Sequence, residues 1–232
     1  MSGGLSGLLV AMATFVGAHF LLSSLPVRNA LVGRIGDNTF RILYSLVAGV
    51  TLYWTIKSYG AAPYRALWAP PAAFTHLQML LMLVSSLLFA ASVTSHSPTA
   101  VGGEKMLREP KPPGGILTVT RHPMLWAFLI WAVGHLLVNG DAASLILFGG
   151  IAVLAAGGMA HIDFRRQQQT GSDWGPVALS TSAIPFLAAL QGRTKIDWAG
   201  IGLARIAFGL AIYAALLVSH QWLAGVPLVT FG

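Results

Sequence analysis

Cysteine is absent from all 232 residues of this chain, and charged residues are scarce. Without Cys the protein cannot form a disulfide, an iron–sulfur cluster, a thiolate-ligated haem or a covalently attached c-type haem. Only 9% of the residues are charged, whereas a soluble globular domain usually carries about 25%. Because 55% are hydrophobic and the mean hydropathy is +0.70, the composition predicts an integral membrane protein, with residues 1–232 forming one domain of several helices.

The N-terminal stretch lacks the signals that direct a chain to export or to an organelle. MSGGLSGLLVAMATFVGAHFLL has no basic n-region, so it is interpreted as a first membrane span that is retained. It also lacks the Arg and Ser enrichment of a transit peptide. The sequence therefore favours a bacterial inner membrane over an organelle.

Long apolar runs predict the fold class, an all-α integral membrane bundle of about six transmembrane helices. A span needs about 20 mainly apolar residues. Pro26 ends the first run, and Pro70 and Pro71 precede the third, as expected for residues that cannot continue a helix. The predicted spans cover residues 5–25, 39–59, 74–95, 122–140, 143–163 and 201–223.

Basic residues concentrate in the loops on one side of these spans. Of the 14 Lys and Arg residues, the second loop holds only Lys57 and Arg65, and the fourth loop holds none. By the positive-inside rule the side that holds the other twelve basic residues is cytoplasmic. This orientation places both termini in the periplasm. The net charge of +7 is thus explained by the basic loops that orient the chain in the membrane, and no nucleic acid partner is expected. The remaining basic residues are Arg28, Arg34, Arg41, Lys105, Arg108, Lys111, Arg121, Arg165, Arg166, Arg193, Lys195 and Arg205.

Two loops on the basic side are long. Residues 96–121 include GGEKMLREPKPPGG, which predicts an interfacial turn or a short helix. Residues 164–200 include PVALSTSAIPFLAALQ, which is apolar but too short and too interrupted by Pro to span the membrane. This stretch is expected either to lie along the membrane interface or to dip into the protein.

Histidines are the main candidates for a functional site. Ionisable side chains inside spans are costly, so each is a functional hypothesis. His19 and His135 lie deepest, among apolar neighbours and with a Gly within two residues upstream. Two interpretations of this pair stay open, an interhelical hydrogen bond and ligation of a metal. The seven histidines are His19, His76, His96, His122, His135, His161 and His220.

His135 must find its partner on another helix. His122 lies 13 residues earlier. At 1.5 Å per residue the two are about 20 Å apart along a helix, so they cannot form a local chelating pair. His19 is the first candidate partner, although the predicted boundaries place it about 10 Å from His135 in depth. His76 and His220 are the alternatives.

The acidic residues favour haem over zinc for such a pair. A catalytic zinc site commonly uses three protein ligands, with His or carboxylate close at hand. All seven acidic residues fall in loops or at span ends. Two deep imidazoles without a carboxylate suit a large apolar cofactor better, and haem b is the hypothesis. His161 lies beside Asp163 at the cytoplasmic end of the fifth span, where a contact between them suits a structural role as well as a functional one.

TRHPMLWAFLIWAVGH, residues 120–135, resembles two families of membrane proteins. The isoprenylcysteine carboxyl methyltransferases and bacterial phospholipid methyltransferases carry an RHPxY-like motif beside their S-adenosylmethionine site. In that motif a Tyr follows the Pro, and a Glu pair lies downstream. Here Met124 and Leu125 follow Pro123, and no Glu occurs after Glu109, which counts against methyl transfer.

A fuller resemblance is to the NnrU family, which includes the 15-cis-zeta-carotene isomerases of plants and cyanobacteria. Five motifs occur in the family's order along nearly the whole chain. They are FVGAHFLLS around His19, TRHP with a second His thirteen residues after the first, HIDFRR at the end of the fifth span, TSAIPFLAALQGR at 181–193 and SHQWLAGVPL around His220.

This resemblance implies a membrane protein with haem b, ligated by the residues that match His19 and His135. It also implies that reduction of the iron loosens one axial ligand, so that the iron can act on a polyene double bond. No residue is assigned a catalytic role. The residues expected to support the site or to be structural are Arg121, His122, His161, Asp163 and His220.

Three functions stay open on the sequence. The first is a haem b cis–trans isomerase of a carotenoid-like polyene, with a lipophilic substrate, membrane lipid and an electron donor as partners. The second is a haem membrane protein that supports denitrification or nitrogen-oxide metabolism without isomerase activity. The third, which the departures from the RHPxY pattern disfavour, is an S-adenosylmethionine-dependent membrane methyltransferase.

Overall fold

The computed structural model describes residues 4–100, 102–103, 106, 112–226 and 228, and this part of the chain is helical. The one β-type pairing among these residues is an isolated bridge between Ala66 and Asp141. The longer helices are α1 Leu5–Ser23, α2 Leu25–Ile35, α3 Asp37–Gly60, α4 Phe74–Val93, α5 Pro123–Val138, α6 Ala142–Thr170 and α10 Leu203–Ala224. The short helices α7 Gly175–Ser180, α8 Leu187–Leu190 and α9 Trp198–Ile201 precede α10, and 3₁₀ turns cover Gly115–Thr118 and Gly171–Trp174.

The all-α membrane fold class is confirmed. Within the described residues, five helices are long and apolar enough to cross a membrane: α1, α3, α4, α6 and α10. The predicted fourth span, 122–140, is a helix of only 16 residues, α5. It ends early because the chain turns at Gly140, whose carbonyl accepts hydrogen bonds from the amides of Leu67 and Trp68.

Several helix boundaries differ from those predicted from the sequence. Pro26 does not simply end the first span; it lies in the first turn of a new helix, α2, a position where Pro is tolerated. The predicted fifth span, 143–163, continues as α6 to Thr170. Of the predicted turn at 96–121, the GGEKMLREPK part lies mostly outside the described residues, and Gly115–Thr118 forms a buried 3₁₀ turn.

The chain divides into two compact units, and the predicted single domain stays a prediction. The first unit comprises Met1–Gln78 and Ala132–Arg165. Its α1 and α6 run in parallel. A side chain added at Gly150 would overlap Met12, and one added at Gly157 would come within 2.9 Å of the Phe20 ring. These glycines therefore allow close approach of the two helices.

The second unit comprises Met79–Trp131 and Arg166–Gly232. Here α4 contacts α10 at Gly209, where an added Cβ would lie 2.9 Å from the Cα of Leu87. The Ser85 hydroxyl donates to the carbonyl of Ala127 in α5 at 2.8 Å. Ala91, Ile116 and Val119 form a buried apolar cluster.

Candidate functional site

His19 lies on the inward-facing stripe of α1. The buried residues Leu8, Met12 and Phe15 precede it at spacings of three and four, which places all of them on one helix face. Its Nδ1 is 2.7 Å from the carbonyl oxygen of Phe15. Because a carbonyl can only accept, Nδ1 carries the proton and Nε2 has the free lone pair. This is the tautomer in which an imidazole ligates a metal through Nε2.

Aromatic rings surround the His19 imidazole. The Phe15 ring meets it edge-on with centroids 4.5 Å apart, and the Tyr44 ring of α3 does so at 5.5 Å. Tyr44 in turn lies 6.1 Å from Phe40. These contacts limit rotation of the imidazole.

A second histidine reaches the turn of α1 that follows His19. The Ser23 hydroxyl donates to the carbonyl of His19, and its oxygen is 3.0 Å from Nε2 of His161 in α6. Because the one hydroxyl hydrogen of Ser23 points to the His19 carbonyl, the Ser23 oxygen can only accept from His161, so Nε2 of His161 is the donor. The His161 ring also meets Phe20 edge-on at 5.8 Å. His161, one of the supporting residues predicted from the sequence, is therefore connected to His19 through Ser23.

His135 lies in the last turns of α5, also in the first unit. Its imidazole is stacked on the Phe148 ring of α6, with centroids 4.8 Å apart and planes inclined by 23°. Tyr59 of α3 meets Phe148 edge-on at 6.4 Å and hydrogen-bonds the Ser144 hydroxyl at 3.0 Å. His135 thus has the same kind of aromatic surroundings as His19.

Helix direction determines whether the two imidazoles can converge. His135 is level with Phe148 on α6, whereas Phe20, next to His19, is level with Gly157. Nine residues of helix separate these levels by about 13 Å. Side chains lean towards the N-terminus of their own helix. Since α1 runs parallel to α6 and α5 runs opposite to it, His19 and His135 lean towards each other along the helix axes.

These residues fit a bis-His haem better than a multi-ligand metal site. No group of three or more His, Asp or Glu residues suited to a metal ion occurs within the described part of the chain. Two imidazoles, one held as the Nδ1–H tautomer and both packed on aromatic rings, are the kind of donors and apolar surroundings that haem iron uses.

His122 and Arg121 belong to the second unit, where two motifs from the sequence meet. The Thr120 hydroxyl donates to the carbonyl of Ala183 at 2.9 Å, and the Arg121 amide donates to the carbonyl of Ser182 at 2.9 Å. His122 is buried, and the Arg121 guanidinium lies 5.8 Å from the Trp174 ring. TRHP thus holds the TSAIPF loop in place.

The other histidines and Asp163 complete the set of predicted residues. His220 lies near the end of α10 and donates from Nδ1 to the carbonyl of Val226 at 2.8 Å. His76 and His96 are exposed, and Asp163 is half-buried. As a partner for His135 in the first unit, His19 is favoured over His76 because it has the enclosed, oriented imidazole.

Comparison with known proteins identifies the family. The family described as NnrU protein matches residues 7–228. The chain belongs to the NnrU family. The match confirms the resemblance to the NnrU family that the five sequence motifs indicated.

Two curated relatives share the name 15-cis-zeta-carotene isomerase, chloroplastic. The protein from Arabidopsis thaliana is 25% identical over 192 residues, which cover 80% of this chain and 51% of that protein. The protein from Zea mays is 29% identical over 82 residues, which cover 35% of this chain and 22% of that protein. This NnrU chain therefore spans about half the length, or less, of the curated relatives it matches. No solved structure matches it.

Sequence reasoning did not single out Ser23, Tyr44 or Phe148. Ser23 had an available signal, since it lies one helical turn after His19 within the quoted FVGAHFLLS motif. Tyr44 and Phe148 had none, because they meet the histidines only through the packing of α3 and α6.

Proposed function

We propose that this NnrU-family protein is a haem b membrane isomerase that converts a cis double bond of a carotenoid-like polyene to trans. Family membership and the two relatives support the reaction class. The observation that supports haem binding is the Nδ1 hydrogen bond of His19, which leaves Nε2 as the nitrogen available to ligate iron.

In this proposal His19 and His135 hold the iron. When bound, haem supplies a redox-active iron that can interact with a polyene double bond. The carbonyl of Phe15 fixes the tautomer of His19. Phe148, Phe15 and Tyr44 orient the two imidazoles through ring contacts. The reaction rearranges one double bond and transfers no group, so it requires no acid or base from the chain.

His161 is proposed as a positioning residue. It acts through Ser23 on the backbone of His19, while its ring contacts Phe20. This arrangement fastens the last turn of α1 to α6 and so sets the direction of the His19 side chain.

The test begins with the protein purified in detergent from haem-supplied cells. We expect a Soret band, a shift on dithionite reduction and one haem b per chain in the pyridine haemochrome assay. His19→Ala and His135→Ala should lose the haem while eluting from size exclusion like the parent. His76→Ala, at an exposed position, is the matched control and should retain it. A colourless parent, or full Soret absorbance in the His135 variant, would contradict the proposal.

Isomerase activity needs its own measurement. The reduced protein in lipid vesicles is incubated with a 15-cis polyene, and the isomers are separated by chromatography. Haem with isomerisation supports the proposal. Haem without isomerisation would contradict the proposed isomerase activity while leaving haem binding in place.

A further inference from the structure

The segment 175–190, between the last two long helices, presents apolar side chains outwards. We call it the interfacial segment. Leu179, Ile184, Phe186 and Leu190 are 69%, 58%, 45% and 82% exposed. Large apolar side chains at such exposure are unfavourable in water unless another apolar phase covers them.

The outward direction of these side chains is imposed by a fixed backbone. The Phe186 amide donates to the carbonyl of Val119 at 2.8 Å, and the Trp126 indole donates to the carbonyl of Ala183 at 2.7 Å. The Arg193 guanidinium donates to the carbonyls of Leu179 and Thr181. The polar groups of the segment are thus satisfied on its inner side.

The backbone conformation of Phe186 also indicates that the surrounding structure fixes this segment. Its φ is +64°, and within the described residues it is the one non-glycine residue in the left-handed region. A bulky residue adopts that conformation only where its surroundings determine it. The result is that the Phe186 ring faces outwards next to Ile184.

We infer that the interfacial segment is embedded in the membrane interface on the basic side, with these four side chains among the lipid acyl chains. The segment lies in the chain between two apolar helices, α6 and α10, that are long enough to cross a membrane. The exposed Lys195 follows it closely, and its charge is opposite to that of anionic lipid headgroups. The backbone is satisfied internally, as membrane depth requires. The inference does not depend on haem or on isomerase activity.

The absence of Cys allows a clean depth measurement. Ile184→Cys and Leu190→Cys, each labelled with an environment-sensitive fluorophore, are reconstituted in vesicles of phosphatidylcholine and phosphatidylglycerol. Ser172→Cys, at an exposed polar position of the preceding turn, is the matched control. Each label is quenched in parallel by aqueous iodide and by a nitroxide near the glycerol end of a lipid acyl chain.

We expect nitroxide to quench the labels at 184 and 190 several-fold more than the label at 172, and iodide to show the reverse order. Iodide quenching at 184 and 190 equal to that at 172 would overturn the inference. Protection of 184 and 190 from both quenchers would also overturn it, since a protein surface would then cover the segment. Size-exclusion profiles identical to the parent show that each labelled protein is folded.

Discussion

The imidazole of His19 takes its tautomer from a backbone carbonyl one turn earlier, and its position from a serine one turn later. Phe15 accepts from Nδ1, and Ser23 bridges the His19 backbone to His161. A ligand that is oriented in this way needs little reorganisation when it binds a metal. The same short stretch of α1 therefore contains both the candidate ligand and the means of holding it.

Removing His161 tests this support at the scale of one residue. We expect His161→Ala to keep the haem but to release it to apomyoglobin about tenfold faster, because loss of an orienting partner typically weakens a metal site by 10–100-fold. The His161→Gln variant, whose amide can still donate to Ser23, should recover most of the difference. Equal release rates for the Ala and Gln variants would contradict a positioning role.

Asp197 stabilises a different part of the chain by its negative charge. Its carboxylate accepts from the amides of Gly115 and Gly200, both at 2.8 Å, and so caps α9 and ties it to the 3₁₀ turn. The hydrogen bond from Gly115, and then the one from Gly200, lower the pKa of Asp197 below its ordinary value. A carboxyl group whose pKa is lowered by folding stabilises the folded state, and this contribution is complete at pH values above the pKa of the unfolded chain, about 3.9. That stability is lost as the pH falls through the folded pKa.

We therefore expect Asp197→Asn to unfold at a lower temperature than the parent at neutral pH, and the difference to shrink as the pH falls to about 3. Thermal unfolding of the detergent-solubilised protein is followed by circular dichroism. Asp173→Asn, which changes an exposed carboxylate in the 3₁₀ turn at Gly171–Trp174, is the matched control. A difference independent of pH would contradict the role of the charge.

At the scale of helices, glycines set how closely neighbours approach, and the group opposite each glycine determines the cost of replacing it. Gly209 faces the backbone of Leu87, which cannot move without separating α4 from α10. Gly150 faces the buried side chain of Met12, which would have to repack around an added Cβ but can do so without moving a backbone. The two positions are therefore a matched pair in which we expect different costs.

We expect Gly209→Ala to lower the free energy of unfolding by about 1–3 kcal/mol, the usual cost of overpacking. Gly150→Ala should cost less, because a side chain and not a backbone has to move and because Ala favours helix over Gly by about 1 kcal/mol. Unfolding by SDS titration measures both. Equal losses at the two positions would contradict the distinction between backbone and flexible side chain.

At the scale of the whole molecule, the basic residues predict which side of the membrane each loop occupies. We expect Ala61→Cys, after α3, to react with a membrane-impermeant maleimide in right-side-out vesicles. Ser172→Cys, after α6, should react only in inverted vesicles, because the loops beside it carry most of the Lys and Arg residues. The opposite pattern would reverse the predicted orientation.

Much of the fold was predictable because membrane spans depend on local composition. The runs at α1, α3, α4 and α10 are long and apolar, so their existence followed from the length needed to cross a bilayer. The shortness of α5 was not predictable, because it depends on a contact of Gly140 with residues 67–68. The separate helix α2 was also missed, since a Pro can end one helix or begin the next.

The sequence by itself determined that this is a helical membrane protein and that its motifs are those of the NnrU family, and it singled out His19 and His135 as candidate ligands. Only the tertiary structure decided the tautomer of His19, the link from His161 through Ser23, the stacking of His135 on Phe148 and the outward face of the interfacial segment. Span formation depends on apolar residues that are contiguous in the chain. The surroundings of each histidine depend instead on residues that are distant in the chain and are brought together by helix direction and close packing.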